Sequence, residues 1–376
     1  MRSAHVLAGK RTGDPRRGRK NQKLVRALLL LTIVFESKTL LQSLTTRWTV
    51  GSLQVAETVE VVNLPATCGI NLKVNRSCTR VLHGVRESKA GLGHQISELV
   101  FFALLGKLYG AALRLEPFTN TPSDHKSSHG FANSFLGLNV IFKSLETHKG
   151  LRINRLDDIE NTDCGVVFEG SFRECPGGNC FKTPLMHDAF ASFAPCFRLL
   201  SKRHGSWKKY DPYRKSTFNV FWHVRVGDRM PYGPRDDYFR NIYAGLETVL
   251  SSIPNVHHHI CGEWNRIDRR MRDSFKLHFL RFLGVEKTHF IALSLKDSLA
   301  YMLHSDMLIG SGSSLSAIVP LFSEKPLYLN VKPKHGWNFF AEHFEEAIQV
   351  TDQGVILTPT WELQRLLVSR ISRTGS

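Results

Sequence analysis

The chain has 376 residues, with 50 Lys+Arg against 33 Asp+Glu and a formal net charge of +17. Hydrophobic residues make 42% and charged residues 22%, which excludes a largely disordered chain, a multi-span membrane protein and a low-complexity fibre. Of the +17, residues 1–26 hold +8 (nine Lys/Arg, one Asp), leaving +9 over the remaining 350 residues. The body is thus mildly basic, suited to a phosphate-bearing small ligand and not to nucleic acid.

At roughly 150 residues per domain, the length suggests two domains and a tail. The basic arm runs into an apolar stretch at residues 24–35, of which only Ala27 to Phe35 is free of charge. A spanning helix needs about 20 apolar residues, so this run has the length of a signal-peptide apolar region. If it inserts as a membrane anchor, flanking Arg/Lys keep the N-terminus cytoplasmic, giving a type II Golgi or secretory-pathway protein. Two other readings stay open: an Arg-rich organellar transit peptide, and a lead-in helix of a soluble cytoplasmic protein. Seven cysteines form no zinc pattern. A disulfide between Cys175 and Cys180 would close a Pro-Gly-Gly turn in an oxidising compartment; in a reducing one the thiols stay free.

Residues 1–50 are accordingly read as arm and targeting segment, and 51–84 as a stem. Beyond residue 80, short apolar runs alternate with helical segments, the pattern of an α/β protein. A first lobe, which the resemblance described below makes the acceptor side, is expected over 85–215, ending in a polar, basic linker at 201–215. A second lobe follows over 216–355. Residues 356–376 close the chain with a helix whose Leu363, Leu366, Leu367 and Ile371 fall at helical spacing.

In the first lobe, Lys89-Ala-Gly-Leu-Gly-His-Gln95 precedes a helix expected over 96–109, with the next strand at 113–115. Gly91 and Gly93 permit close backbone approach at the helix start. Ile96 occupies the third glycine position of a dinucleotide fingerprint, so that motif is incomplete.

The second lobe opens with Phe218-Asn-Val-Phe-Trp-His-Val-Arg-Val-Gly-Asp228, a near-continuous apolar run suited to a strand buried on both faces. Strand periodicity puts His223 and Arg225 on one side at its carboxyl end, where ligands of open α/β sheets bind. An Arg fork there can hold two phosphate oxygens; the alternative is a structural pair with Asp228. Asp236 and Asp237 follow in a Gly-Pro-rich loop and are the candidate catalytic bases, with Asp228 and His94 as further options. His257-His-His259 reads as a strand-edge cluster without metal, because neighbouring strand residues point to opposite faces. The run from Arg266 to Asp273 reads as a solvated, salt-bridged helix face.

Later come a helix at 296–306, a short buried strand, the loop Ser311-Gly-Ser-Ser-Leu-Ser316, a helix from Leu315 to about Phe322, and a strand at 326–330. Ser313 and Ser314 can cap that helix or cradle an anion. Asp297 can be a helix-start acid or a ligand acceptor.

Taken together and in this order, Gly91-Leu-Gly-His-Gln95, His223-Val-Arg-Val-Gly-Asp228 and Asp297…Asp306…Ser311-Gly-Ser-Ser314 resemble the superfamily of GDP-fucose-dependent fucosyltransferases. The similarity spans roughly residues 85–335 and rests on about 25 of them. It implies a GT-B-like fold, two Rossmann-like lobes facing a cleft, with the donor on the second lobe. It implies an inverting transfer of a sugar, most simply fucose from GDP-fucose, to a glycan or glycoprotein acceptor, with no metal and no other cofactor. By this resemblance Arg225 holds the β-phosphate, His223 and Asp297 lie near the guanosine, and Ser313 or Ser314 meets the diphosphate. Three departures are visible: His94 where the family has Asn, Val226 where a second Arg is common, and Leu315-Ser-Ala-Ile after the serine loop. Two other classes stay open: an inactive glycan- or nucleotide-binding protein on the same fold, and a Golgi sulfotransferase.

Overall fold

The computed structural model describes residues 81–84, 90–120, 128–141, 151–153, 166–168, 184–213, 216–225, 236–331 and 347–374. These belong to the second of two compact units, Val62–Ser376. The expectations for the arm, residues 24–35, the stem, Asp228 and the Cys175–Cys180 turn lie outside the described residues. No described helix is long and apolar enough to cross a membrane.

The chain begins with β1 (Val81–Gly84), α1 (Leu92–Leu108) and β2 (Ala112–Leu115), then α2 (Ala132–Phe135), β3 (Leu151–Ile153), β4 (Val166–Phe168) and α3 (Pro184–His204). Their strands form a fully parallel sheet in the order β2-β1-β4-β3. A second unit of alternation follows: β5 (Phe218–Val224), α4 (Asp236–Leu250), β6 (Val256–Gly262), α5 (Arg269–Leu283), β7 (Thr288–Ile291), α6 (Leu295–His304), β8 (Met307–Ile309), α7 (Ser314–Ala317), β9 (Leu327–Val331), β10 (Ile348–Val350) and α8 (Thr360–Thr374). These strands make a second parallel sheet, β10-β9-β8-β5-β6-β7. Two Rossmann-like α/β lobes result, as the alternation of runs implied.

In the second sheet the chain winds outward from β5 to β7, then returns to β5's other flank and winds out through β8 to β10. The order reverses between β5 and β8. Such a switch point opens a crevice at the strands' carboxyl ends, because the following helices leave on opposite faces. In the first sheet the chain passes from β1 out to β2, then crosses to the far edge at β3 and returns inward to β4.

β5 is buried on both faces. Val220, Trp222 and Val224 pack with Phe239 and Phe279, while Phe221 joins the core that contains α1. Ile96, Leu99, Val100 and Phe101 of α1 are all inaccessible to solvent; a helix apolar all round is one sandwiched by other elements. It ends in a Schellman motif: Gly110 (φ 59) takes the left-handed turn, and Ala111 N–H donates back to Gly106 O at 2.9 Å.

Four expectations are corrected. The helix expected from Ile96 starts at Leu92, so Gly93 lies inside its first turn. Part of the expected linker is structured: α3 continues to His204, and the 3-10 turn Ser206–Lys209 buries Trp207, whose Nε1 donates to Ser201 Oγ at 2.7 Å. The helix after the serine loop is a single turn, Ser314–Ala317, followed by a 3-10 turn at Val319–Leu321. Pro320, which has no N–H to continue an α-helical ladder, accounts for the break. Finally, β6 with its three histidines is not an edge strand; it lies between β5 and β7.

Candidate functional site

The switch point brings together the glycine-bearing start of α1, Arg225 and the serine loop, while Asp306 of the third motif lies at the opposite end of β8. Arg225 directly follows β5, and its backbone N–H donates to Ser311 Oγ at 2.8 Å, tying the end of β5 to the loop after β8. That loop is fixed from beneath, since the buried Tyr238 hydroxyl donates to Gly310 O at 2.9 Å. Gly312 has φ 75, a left-handed conformation that suits glycine. Ser313 then caps α7, accepting Leu315 N–H at 3.3 Å, and is 7% exposed. Ser314 is half-buried, and its hydroxyl has no hydrogen-bond partner among the described residues.

The first lobe meets this loop through its glycines. A Cβ on Gly93 would stand 2.4 Å from the Ser314 carbonyl carbon and 2.5 Å from Leu315 N, so only glycine fits there. Gly91 is the cap residue of α1, its carbonyl accepting His94 N–H at 3.0 Å and Gln95 N–H at 3.1 Å. The start of α1 in the first lobe therefore touches the serine loop at the switch point of the second.

His223, the penultimate residue of β5, has a buried Nδ1 with no hydrogen-bond partner among the described residues. Burial, helped by the nearby Arg225 guanidinium, pushes its imidazole down to about 3. The ring is neutral at physiological pH and presents one donor and one acceptor, not a charge.

The remaining sequence candidates sit as follows. Asp297 is exposed and reciprocally bonded to Ser294: the Ser294 hydroxyl accepts Asp297 N–H at 3.1 Å and donates to its carboxylate at 2.6 Å. That is its helix-start role. Asp236 and Asp237 are not in a loop but form the first turn of α4, where acids favour the helix dipole. Asp237 is 63% exposed and pairs with Arg240 at 2.7 Å. His94 approaches Glu98, one turn on, at 3.6 Å; both side chains are largely buried. Glu98 was not singled out in the sequence, although the i,i+4 spacing from His94 was the signal available. Ser311 was seen only as part of the serine loop, and its role as the clasp on Arg225 needed the strand order. Among the described residues, no group of three or more His, Cys, Asp or Glu is placed to hold a metal ion.

The histidine run serves structure. Trp222 Nε1 donates to His258 Nδ1 at 3.1 Å, which fixes a neutral acceptor tautomer, and burial pushes that imidazole down to about 3. His257 and His259 face the other side, stacking on His289 of β7.

No family model matches the sequence, and no curated protein matches it. Among solved structures, Escherichia coli ADP-heptose lipopolysaccharide heptosyltransferase II is similar at 9% identity and TM-score 0.39, over 79% of this chain and 100% of that one. The Anabaena protein Alr3699/HepE, in complex with UDP and glucose, is similar at 11% identity and TM-score 0.32, over 79% and 91%. An E. coli structure of trehalose-6-phosphate bound with UDP-2-fluoro glucose gives 13% identity and TM-score 0.29, over 43% of this chain and 39% of that one.

Proposed function

We propose that this protein is an inverting, metal-independent glycosyltransferase of GT-B-like architecture that uses a nucleotide sugar, with GDP-fucose as donor and a glycan or glycoprotein as acceptor. The observation that carries the reading is the placement of Arg225: directly after the switch-point strand β5, at its carboxyl end, with its backbone N–H tied to Ser311 Oγ of the serine loop. Beside it lies His223, whose buried Nδ1 has no partner among the described residues, and the serine loop continues from Ser311 to Ser314. In the transfer, the acceptor oxygen bonds to the anomeric carbon as the bond from that carbon to the β-phosphate oxygen breaks. The acceptor proton passes to a base, and GDP leaves. Negative charge grows on the β-phosphate, and a fixed guanidinium stabilises it in the transition state. For the base, the buried His94–Glu98 pair is better placed than Asp237, because α1 begins at the loop contact whereas Asp237 is exposed and held by Arg240.

A thermal-shift titration with GDP, GDP-fucose and adenosine 3′,5′-bisphosphate tests the reading, since a ligand that binds the native state raises its melting temperature. GDP and GDP-fucose are expected to stabilise the protein. Stabilisation by the bisphosphate alone would replace this reading with a sulfotransferase, and GDP-fucose binding without turnover on any acceptor would replace it with a binding protein.

A further inference from the structure

The run of arginines on α5 was expected to be a face neutralised by its own acids. Arg269 does meet Asp273, at 3.6 Å, and Arg266 meets Glu263 at 3.1 Å. Arg272 and Lys276 have no carboxylate partner among the described residues. Both are half-buried, and both line a concave site of about 460 Å³ between α5 and β7. Its other walls include Phe290 and Ala292. Lys276 Nζ lies 5.7 Å from the Phe290 ring centre. The buried Trp264 braces the site from behind, its Nε1 donating to Ile291 O at 3.2 Å. Three cations and one acid thus surround a pocket within the roughly 300–1,000 Å³ range of small-ligand sites. Asp273 offsets Arg269, which leaves a net +2 from Arg272 and Lys276, and cations lining a concavity attract anions more strongly than the same charges on a flat face.

The site opens at the ends of β6 and β7, on the same carboxyl edge of the sheet that carries Arg225. Strands β5 and β7 are separated only by β6, so the two places are about 10 Å apart in the sheet plane. We propose that this groove holds the anionic portion of the acceptor, a saccharide bearing carboxylate or sulfate groups. Arg272 supplies a planar fork for such a group, Lys276 a second charge, and Phe290 an apolar wall for the sugar's C–H face. The acceptor assignment rests on the glycosyltransferase reading; the anion site does not.

The test is calorimetric titration of the full-length protein at low ionic strength with three oligosaccharides of equal length: neutral, uronate-bearing and sulfated. At least one acidic oligosaccharide binds and the neutral one does not; the two acidic arms tell carboxylate from sulfate recognition. The pair Arg272→Gln/Lys276→Gln is expected to weaken binding at least about tenfold. The pair Arg270→Gln/Arg281→Gln, on the same helix outside the groove, is expected to change it less than about twofold. Equal losses in the two pairs would mean a diffuse charge effect and overturn the site. Binding of the neutral oligosaccharide, or groove-dependent binding of an acidic peptide tighter than of either acidic saccharide, would overturn the ligand class. GDP-fucose binding is measured alongside: its absence in the unsubstituted protein overturns the glycosyltransferase reading and leaves the anion site standing.

Discussion

The two ends of the second sheet are built from similar residues and use them in opposite ways. At the amino ends of β5 and β8, polar groups are closed onto one another. Asn219 N–H donates to Asp306 Oδ2 at 2.8 Å, Asp306 N–H donates back to Asn219 O at 2.9 Å, and Lys325 lies 3.7 Å from the same carboxylate. His259 Nε2 adds a contact to Asn219 Oδ1 at 3.1 Å. Burial still pushes the Asp306 carboxyl up, against the opposing pull of Lys325 and Asn219. At the carboxyl ends the Ser311 hydroxyl accepts the N–H of Arg225, and the buried His223 Nδ1 has no partner among the described residues. Polar side chains at the amino end are closed into a hydrogen-bonded cluster; on the proposed function, those at the carboxyl end meet the donor.

Substitutions at the two ends should therefore fail in different assays. On the proposed function, Arg225→Ala and Arg225→Lys are expected to cut sugar-transfer turnover by about 10²–10³ with the melting temperature unchanged, the loss typical of removing a transition-state charge stabiliser. Lys keeps the charge but loses the fork. If Arg225 only paired with Asp228, then Asp228→Asn would lower the melting temperature as much, and comparing the three variants decides. Asp306→Ala is the converse: about 2–3 kcal/mol of stability lost in urea titration, because a buried donor and a cation lose their acceptor, with donor affinity of the folded fraction retained.

Gly93→Ala tests whether the lobes touch as described. Its methyl would press on the Ser314–Leu315 peptide, costing about 1–3 kcal/mol by overpacking, and it should weaken donor binding too. Wild-type donor affinity and stability in this variant would contradict the contact. The smallest effect is on pH dependence. His258 is sealed and neutral when folded, at about 3, whereas the unfolded chain takes up its proton near 6.5. Its contribution to stability is full above 6.5 and falls as pH drops from there toward 3, on the order of 1 kcal/mol per pH unit, in the same direction as those of His223 and His259. His258→Phe should reduce the slope by that share, leaving the part due to His223 and His259, in urea titrations at pH 7 and 5, while lowering stability at pH 7 through the stranded Trp222 indole N–H.

The alternation of strands and helices, and the placement of Arg225 at a strand end, were legible because β5, β8 and β9 are short apolar runs with few competing readings. The start of α1 was not. Two glycines read as a loop by propensity, and only the contact with Ser314 explains why one of them sits inside a helix. The segment at 201–215 looked like a linker because it is polar. One aromatic, Trp207, anchors its first half, and a single buried ring leaves no periodic trace. Asp236 and Asp237 looked like loop acids beside Gly and Pro, although acids after such a loop also mark a helix start. Glu98 was passed over because an acid in an apolar helix has no motif; what distinguishes it is burial.

The apolar layer around α1 has a consequence for how this protein comes apart. It runs without interruption from Leu82 of the first sheet, through α1, to Phe221, Leu308 and Tyr328 of the second. Neither lobe owns that layer, so neither can shed the other without exposing it to water. Heating should accordingly give one calorimetric transition for the body, with van't Hoff and calorimetric enthalpies in agreement. Halves cut between the lobes and expressed separately would each be insoluble, and would recover a fold only when refolded together.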